Sequence, residues 1–355
     1  MLATEALWDE PVVKLGPPAI GADYVFGDVA ALAALETGID KDLICAVIAP
    51  RRSGKSSLMH FAEARLRERR PEAQSAFVDL APFRSPWEFL RQIAPEPREL
   101  LLMGQVQDAD IQTALRSVLD ARQQGGAHPF VLFLDEVDYA VRASDPEKWR
   151  ELLKVLIRNG NTRLVLSMDS VFAQSVLDLL PPSAEQRLRI IKLTPWPADT
   201  IRNFLDANLN DSAARPFIPM LVKRLAPGWP FETILVMFEL EEALHGAESD
   251  PLEFALARAA YRLGGGSINE ILQHAPSRKS AHAAAYLLQM LAQADGGVQL
   301  DEATAQSGKR WRLHELDDAA RQLVDLGLVS LDKEAKRIRP ATGLIRQKLA
   351  QEFSA

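Results

Sequence analysis

Short apolar runs alternate with helical patterns along the first part of the chain. The runs cover 43–49, 76–80, 130–134, 163–166 and 188–193. Continuous apolar runs of this length are typical of strands that are buried on both faces of a parallel sheet, and the segments between them supply the covering helices. The pattern therefore predicts an α/β core with a parallel sheet and helices on both faces.

The helical segments show apolar residues at spacings of three and four. The clearest begins at Lys55, places Leu58, Phe61 and Leu66 on one face, and ends before Pro71. One further helix is predicted to end near residue 35, before the first strand. Others are predicted over 111–121, 149–157 and 171–180.

The strand signal disappears after residue 196, and the pattern predicts two further modules. Residues 197–265 form consecutive helices, and a Gly-rich segment then marks a flexible join. Beyond it we expect a helix, a short helix, a third helix, a hairpin and a last helix, which is the order of a winged helix-turn-helix. The predicted domains are a core (1–196), a helical lid module (197–265), and a linker with a winged helix (266–355).

Composition narrows the class of protein without naming a function. The 355 residues are 47% hydrophobic and 25% charged, as in ordinary globular proteins, and the formal charge of −7 provides no global basic surface for nucleic acid. Cys45, the single cysteine, lies within an apolar run and is predicted to be core. With neither a signal peptide nor a membrane span in the sequence, we expect a cytoplasmic protein.

The first apolar run leads into a turn that is suited to phosphate binding. A triphosphate requires converging backbone N–H groups, a helix N-terminus, a lysine across the β- and γ-phosphates, and a hydroxyl on Mg²⁺. Gly54, Lys55 and Ser56 supply these groups at the required spacing. The predicted nucleotide-binding residues are Ala49, Pro50, Arg51, Arg52, Ser53, Gly54, Lys55, Ser56 and Ser57.

The most apolar run ends in Asp135 and Glu136, eighty residues after Lys55. A carboxylate at the end of a neighbouring strand can hold Mg²⁺, so Ser56 and Asp135 are the predicted metal residues. Glu136 is predicted to be the base that activates the attacking water, with Lys55 as its catalytic partner. Asp138 is expected to be a helix or turn cap. ATP is the expected cofactor with Mg²⁺, because the sequence lacks an Asn-Lys-x-Asp guanine motif.

With these motifs, the chain resembles P-loop ATPases of the AAA+ and STAND type, in particular the archaeal-ATPase-like group. The resemblance covers nearly the whole length. Residues 49–56 resemble Walker A, 132–136 resemble Walker B, Phe26-Gly27-Asp28 is similar to the opening Phe-Gly-Arg box, and Gly228-Trp229-Pro230 resembles the Gly-x-Pro turn. Asp28 replaces the arginine of the box, and the Met-His-Asp triplet of larger STAND receptors is absent.

The resemblance implies further site residues. Pro230 would pack near the adenine, although the same tripeptide could simply end one helix and start another. Ser167 or Ser170 would sense the γ-phosphate, with a solvated strand end as the alternative. Arg187 or Arg189 would be an arginine finger for a neighbouring subunit, with a solvated sheet edge as the alternative.

The charges of the C-terminal module are compatible with either a protein or a DNA partner. Residues 278–355 contain 12 Lys/Arg against 10 Asp/Glu, a net charge of +2. Basic residues surround the third helix and the wing, but four acids lie along the same helix and would repel phosphates. A role in protein contact or domain packing is therefore slightly favoured over DNA binding.

Together these features predict an ATP-binding and ATP-hydrolysing switch whose nucleotide state controls self-assembly or partner contact, with a homo-oligomer in the ATP state. The alternatives are a DNA-acting AAA+ ATPase, initiator-like or transposition-regulator-like, and a nucleotide-binding scaffold with little turnover.

Overall fold

The computed structural model describes the chain in two compact units, which among the described residues are 28–193 and 194–353. The described ranges are 28–83, 85–94, 111–123, 129–143, 145–209, 212–263, 278–294, 297–308, 310–325, 328–332 and 334–353.

A five-stranded parallel sheet forms the centre of the first unit. Its strands are β1 (Ile44–Ala49), β2 (Gln74–Asp79), β3 (Phe130–Asp135), β4 (Thr162–Asp169) and β5 (Leu188–Lys192). Their order in the sheet is β2-β3-β4-β1-β5, and all pairs are parallel. Every residue of β1 and β3 is buried. This sheet confirms the predicted α/β fold, because such strands need cover on both faces.

Helices connect these strands. They are α1 (Val29–Asp40), α2 (Lys55–Arg69), α3 (Pro86–Ile93), α4 (Ile111–Gln123), α5 (Val137–Ala143), α6 (Pro146–Arg158) and α7 (Ala173–Leu177), with a 3₁₀ turn at Pro182–Arg187 before β5. The predicted helix over 171–180 shortens to α7. The Asp169 carboxylate accepts the N–H of Val171 (2.9 Å) in a local turn, which delays the helix start.

Cys45 lies in the middle of this core. Its side chain is fully buried, and burial raises the pKa of the thiol to about 12. The thiol therefore stays protonated and packs as a small apolar group, as the sequence predicted.

The second unit begins with four helices. These are α8 (Ala198–Asn208), α9 (Ile218–Leu225), α10 (Pro230–His245) and α11 (Pro251–Leu263), with a 3₁₀ turn at Arg215–Phe217.

The rest of that unit combines helices with a small antiparallel sheet. Its elements are α12 (Arg278–Gln293), β6 (Val298–Gln299), α13 (Leu300–Gln306), α14 (Leu313–Asp325), β7 (Val329–Asp332), β8 (Arg337–Pro340) and α15 (Gly343–Phe353). The strand order is β6-β8-β7. The sequence predicts the helices and the hairpin in this order but not β6, since a two-residue strand is too short to show alternation.

The described helices do not include one that is both long enough and apolar enough to cross a membrane.

Candidate functional site

The turn between β1 and α2 lies at the carboxyl edge of the sheet. We call residues 50–54 the cradle loop. Gly54 has φ of +93°, a left-handed conformation that side chains disfavour, and it caps the N-terminus of α2. The first N–H groups of a helix lack acceptors within it, so this end of α2 directs backbone donors toward an anion.

Two buried polar groups in this turn fit phosphate oxygens. Among the described residues, Lys55 Nζ donates hydrogen bonds to two backbone carbonyl oxygens, those of Ala49 (3.0 Å) and Pro50 (2.9 Å). Ser53 Oγ is buried and has no hydrogen-bond partner among the described residues. A phosphate would supply acceptors for both groups, which is the arrangement that a nucleotide site requires.

Asp135 ends β3 and Glu136 follows it, at the same edge of the sheet. Asp135 is buried, and Ser167 Oγ of β4 donates a hydrogen bond to its carboxylate. The backbone N–H of Glu136 donates to the same Ser167 oxygen at 3.1 Å. Ser167 therefore fixes the turn between the two acids, and its predicted role in sensing the γ-phosphate stays a prediction.

Glu136 adopts an uncommon backbone conformation, with φ of +55°. A non-glycine residue in this region is held there by its surroundings, here by the hydrogen bond from its N–H to Ser167. Burial raises the pKa of the Glu136 carboxyl; Lys55 and Arg51 lower it, whereas Asp138 and Asp135 raise it further. A carboxylate with a raised pKa is a better proton acceptor.

The acids fit a magnesium ion that is held mainly by a nucleotide. The described ranges contain no group of three or more His, Cys, Asp or Glu that could hold a metal ion without other ligands. Mg²⁺ in nucleotide sites usually takes one or two protein oxygens, together with phosphates and water. Ser56, in the first turn of α2, and Asp135 are suited to this role.

Asp169 is a site residue that the sequence reasoning missed. It ends β4 and pairs in register with Ala49, the last residue of β1 before the cradle loop. Its carboxylate lies 3.9 Å from Arg51 Nε, and burial raises its pKa. A polar residue at the end of an apolar run was visible in the sequence, but its position beside β1 depends on the strand order.

Asp138 has a tertiary partner instead of the predicted cap. It is fully buried in α5, and its carboxylate accepts the backbone N–H of Asp169 at 3.0 Å and pairs with Arg142 at 3.3 Å. A buried carboxylate is satisfied only by such partners, and the first turn of α5 faces β4. Asp138 thereby ties the end of β4 to the turn after β3.

The other predicted residues of the first unit lie in different places. Ser170 follows β4, and its N–H donates to the Ala49 carbonyl at 3.3 Å. Arg187 ends the 3₁₀ turn before β5, at the amino ends of the strands and so opposite the cradle loop, and pairs with Asp42 at 3.1 Å. Arg189 is half-buried in β5, in register with Cys45. Asp28 caps α1 by accepting the Ala31 N–H (2.9 Å), whereas Phe26 and Gly27 lie outside the described residues.

Pro230 belongs to the second unit, where it begins α10. The residue pair Trp196 and Gly228 exchanges two backbone hydrogen bonds, of 2.7 and 3.1 Å, just before it. The tripeptide therefore both ends the turn after α9 and starts a helix, the capping role that the sequence also allowed.

The basic residues predicted around the C-terminal hairpin are partly described. Arg310, Arg312, Lys336 and Arg339 are exposed and Arg337 is half-buried. Lys309 and Lys333 lie outside the described residues.

Comparison with known proteins supports the fold. No protein-family model and no curated protein matches this sequence. A Walker-type ATPase of Pyrococcus abyssi superposes with a TM-score of 0.67 at 17% identity, covering 96% of this chain and 99% of that one. The ORC2 protein of Aeropyrum pernix, in ADPNP–ADP complexes, gives 0.63 at 16% identity over 97% and 96% of the two chains. Its ADP form gives 0.53 at 16% identity, over 96% and 95%. At these identities the similarity establishes a P-loop ATPase fold.

Proposed function

We propose that this protein binds Mg²⁺-ATP in the cradle and hydrolyses it, and that its nucleotide state controls self-assembly or contact with a protein partner. One observation carries the proposal: Lys55, Asp135 and Glu136 lie at the same carboxyl edge of a parallel sheet, where Ser167 donates to the Asp135 carboxylate and accepts the backbone N–H of Glu136. In this arrangement a cation, a metal ligand and a base can surround one γ-phosphate.

Each site residue has its own role in ATP binding or hydrolysis. The α2 N-terminus and Lys55 bind the phosphates, Ser56 and Asp135 hold Mg²⁺, and Glu136 accepts the proton of the attacking water. Mg²⁺ supplies charge neutralisation when it is bound. By resemblance to the AAA+ and STAND type, Pro230 keeps its predicted role near the adenine, and Ser167 or Ser170 keeps its predicted role at the γ-phosphate. The predicted location remains the cytoplasm.

A DNA-acting ATPase is the second candidate. The exposed Arg310, Arg312, Lys336 and Arg339 favour it, since they lie at the start of α14 and along the hairpin, where a winged helix meets DNA. The acids Glu315, Asp317 and Asp318 on α14 oppose it.

One experiment separates these functions. We would measure Mg²⁺-dependent ATP turnover and the solution mass without nucleotide, with ATP, and with ATP plus duplex DNA. The proposal predicts turnover and an ATP-dependent change in mass or partner binding. Salt-sensitive, ATP-dependent DNA binding would favour the second candidate, and absence of ATP binding would refute both.

A further inference from the structure

We propose that Arg51 is a catalytic arginine that acts in cis, contacting the γ-phosphate held by its own chain. The inference rests on the proposed function and concerns how charge on the transferred phosphoryl group is neutralised. Arg51 is the second residue of the cradle loop, so it is in place as soon as the loop surrounds a phosphate.

The guanidinium of Arg51 points toward the acids at the edge of the sheet. Its Nε lies 3.9 Å from Asp169 Oδ2 at the end of β4, and its Cζ lies 5.9 Å from the ring centroid of Tyr139 on α5. Glu136 directly precedes α5, and its backbone N–H donates to Ser167 of β4, two residues before Asp169. Burial dominates the raised pKa of Glu136, and the Arg51 charge is near enough to oppose that shift. Arg51 therefore lies on the side of the cradle where the γ-phosphate and the attacking water would be.

Arg51 can move to a phosphate without breaking strong contacts. Its side chain is 57% exposed, and its ion pair with Asp169 is longer than a hydrogen bond. The partner is buried and keeps its own hydrogen bond from the Val171 N–H when Arg51 leaves. A guanidinium also offers two parallel N–H donors, which match two oxygens of a phosphoryl group.

Arg187 contrasts with Arg51. Its guanidinium donates to the carbonyl oxygens of Asp42 (3.2 Å) and Ile157 (3.4 Å) and pairs with the Asp42 carboxylate. Acting on another subunit would require the loss of all of these contacts. Arg51 is thus the better placed of the two to contribute charge within a single chain.

The chemical step remains ordinary ATP hydrolysis. The water oxygen forms a bond to the γ-phosphorus as the bond from that phosphorus to the β,γ-bridging oxygen breaks, and the electron pair leaves with ADP. Glu136 takes the proton of the water. Arg51 donates hydrogen bonds to non-bridging γ-oxygens, whose negative charge it stabilises more in the transition state than in bound ATP.

An exposed arginine outside the cradle provides the control for loss of charge. Arg116 lies on α4, is exposed, and is not among the predicted site residues. We would compare Arg51→Ala, Arg51→Lys and Arg116→Ala for kcat, for ATP and ADP affinity, and for turnover at several protein concentrations. Arg51→Ala should lower kcat about 100-fold while leaving ADP affinity nearly unchanged, as expected for a transition-state contact. Arg51→Lys should be intermediate, and Arg116→Ala should resemble the parent.

Mixing variants tests whether Arg51 acts in cis. Arg51→Ala chains keep Lys55, and Lys55→Ala chains keep Arg51, so a mixture regains activity only if Arg51 reaches a neighbour's site. We expect no recovery. Recovery would overturn the cis role, and so would equal kcat values for Arg51→Ala and Arg116→Ala. If the parent hydrolyses ATP and Arg51→Ala does too, only this inference fails; a parent that binds no ATP removes the proposed function itself.

Discussion

Lys55 Nζ donates a 3.0 Å hydrogen bond to the carbonyl oxygen of Ala49, six residues earlier and at the end of β1. The contact folds the lysine back over the turn and keeps a buried ammonium satisfied by backbone oxygens. Because the Ala49 and Pro50 carbonyls are its acceptors here, this cation is already directed into the loop that would surround a phosphate.

Replacing Lys55 should abolish nucleotide binding. Lys55→Ala removes the cation that would lie between β- and γ-phosphate oxygens. We expect ATP affinity to fall at least about 100-fold, because one or two charge-assisted hydrogen bonds are lost. Isothermal titration with ATP and ADP would measure this, with the exposed Lys148→Ala as control. Unchanged ATP affinity in a folded Lys55→Ala protein would refute the site assignment.

Changes at the two acids should separate binding from hydrolysis. Glu136→Gln keeps the shape of the side chain but cannot accept a proton, so ATP should bind normally and turnover should fall about 100-fold or more. Asp135→Ala should instead weaken the Mg²⁺ dependence of binding. Phosphate release and nucleotide titration with and without Mg²⁺ would distinguish them. Turnover by Glu136→Gln at the parent rate would exclude a general base at this position.

Gly343 should be intolerant of a side chain. It begins α15, its N–H donates to the Pro227 carbonyl at 3.2 Å, and an added Cβ would lie 1.7 Å from the Arg224 carbonyl oxygen. Gly343→Ala must displace backbone, and we expect a loss of about 1–3 kcal/mol in the free energy of unfolding. Gly160→Ala is the matched control because nothing lies within 4 Å of a Cβ added at Gly160. Equal urea midpoints for the two variants would contradict this packing.

Glu232 should make stability depend on pH. Its buried carboxylate accepts the Trp229 N–H (3.1 Å) and the Thr342 hydroxyl (3.0 Å), and burial raises its pKa to about 7 despite these hydrogen bonds. A group whose folded pKa is raised stabilises the protein fully below its unfolded pKa of 4.5, and this contribution is lost as pH rises through about 7. The pKa difference corresponds to a loss on the order of 3 kcal/mol.

Unfolding of Glu232→Gln across pH 4 to 8 tests this directly, because the amide cannot ionise. The variant should lose the decline in stability that the parent shows in this window. Glu242→Gln, exposed on the same helix, should retain the parent's pH profile. A parent profile that rises between pH 5 and 7 and matches that of Glu232→Gln would show that Glu232 ionises normally.

The sequence predicts the sheet and the cradle well because both depend on local patterns. β1 is apolar at every position and β3 at every position except its last, Asp135, and the spacing of Gly54 and Lys55 fixes the turn. Ser167 and Asp169 were harder, since their neighbours depend on β4 lying between β3 and β1, which no local pattern encodes. Asp138 was predicted as a cap for the same reason: its acceptor role toward the Asp169 N–H exists only once the strands are adjacent.

The last prediction concerns assembly and the arginines before and within β5. We expect ATP, or ATP with Glu136→Gln, to drive self-association, because a site that is open on one side gains charge from a neighbour. Arg187→Ala or Arg189→Ala should then reduce hydrolysis with little loss of nucleotide affinity. Arg187→Ala should also lower thermal stability, since it leaves the Asp42 carboxylate and carbonyl without this partner.

Mixing each of these variants with Lys55→Ala decides whether the arginine acts between chains. A trans arginine restores turnover, because some interfaces then join an intact site to an intact arginine, whereas the Arg51→Ala mixture stays inactive. Turnover per chain should rise with protein concentration in the parent, since the trans contact forms only on association. A monomer in every nucleotide state, with turnover independent of concentration, would remove Arg187 and Arg189 from the mechanism. Hydrolysis would then depend on Arg51, Lys55 and Glu136 of a single chain.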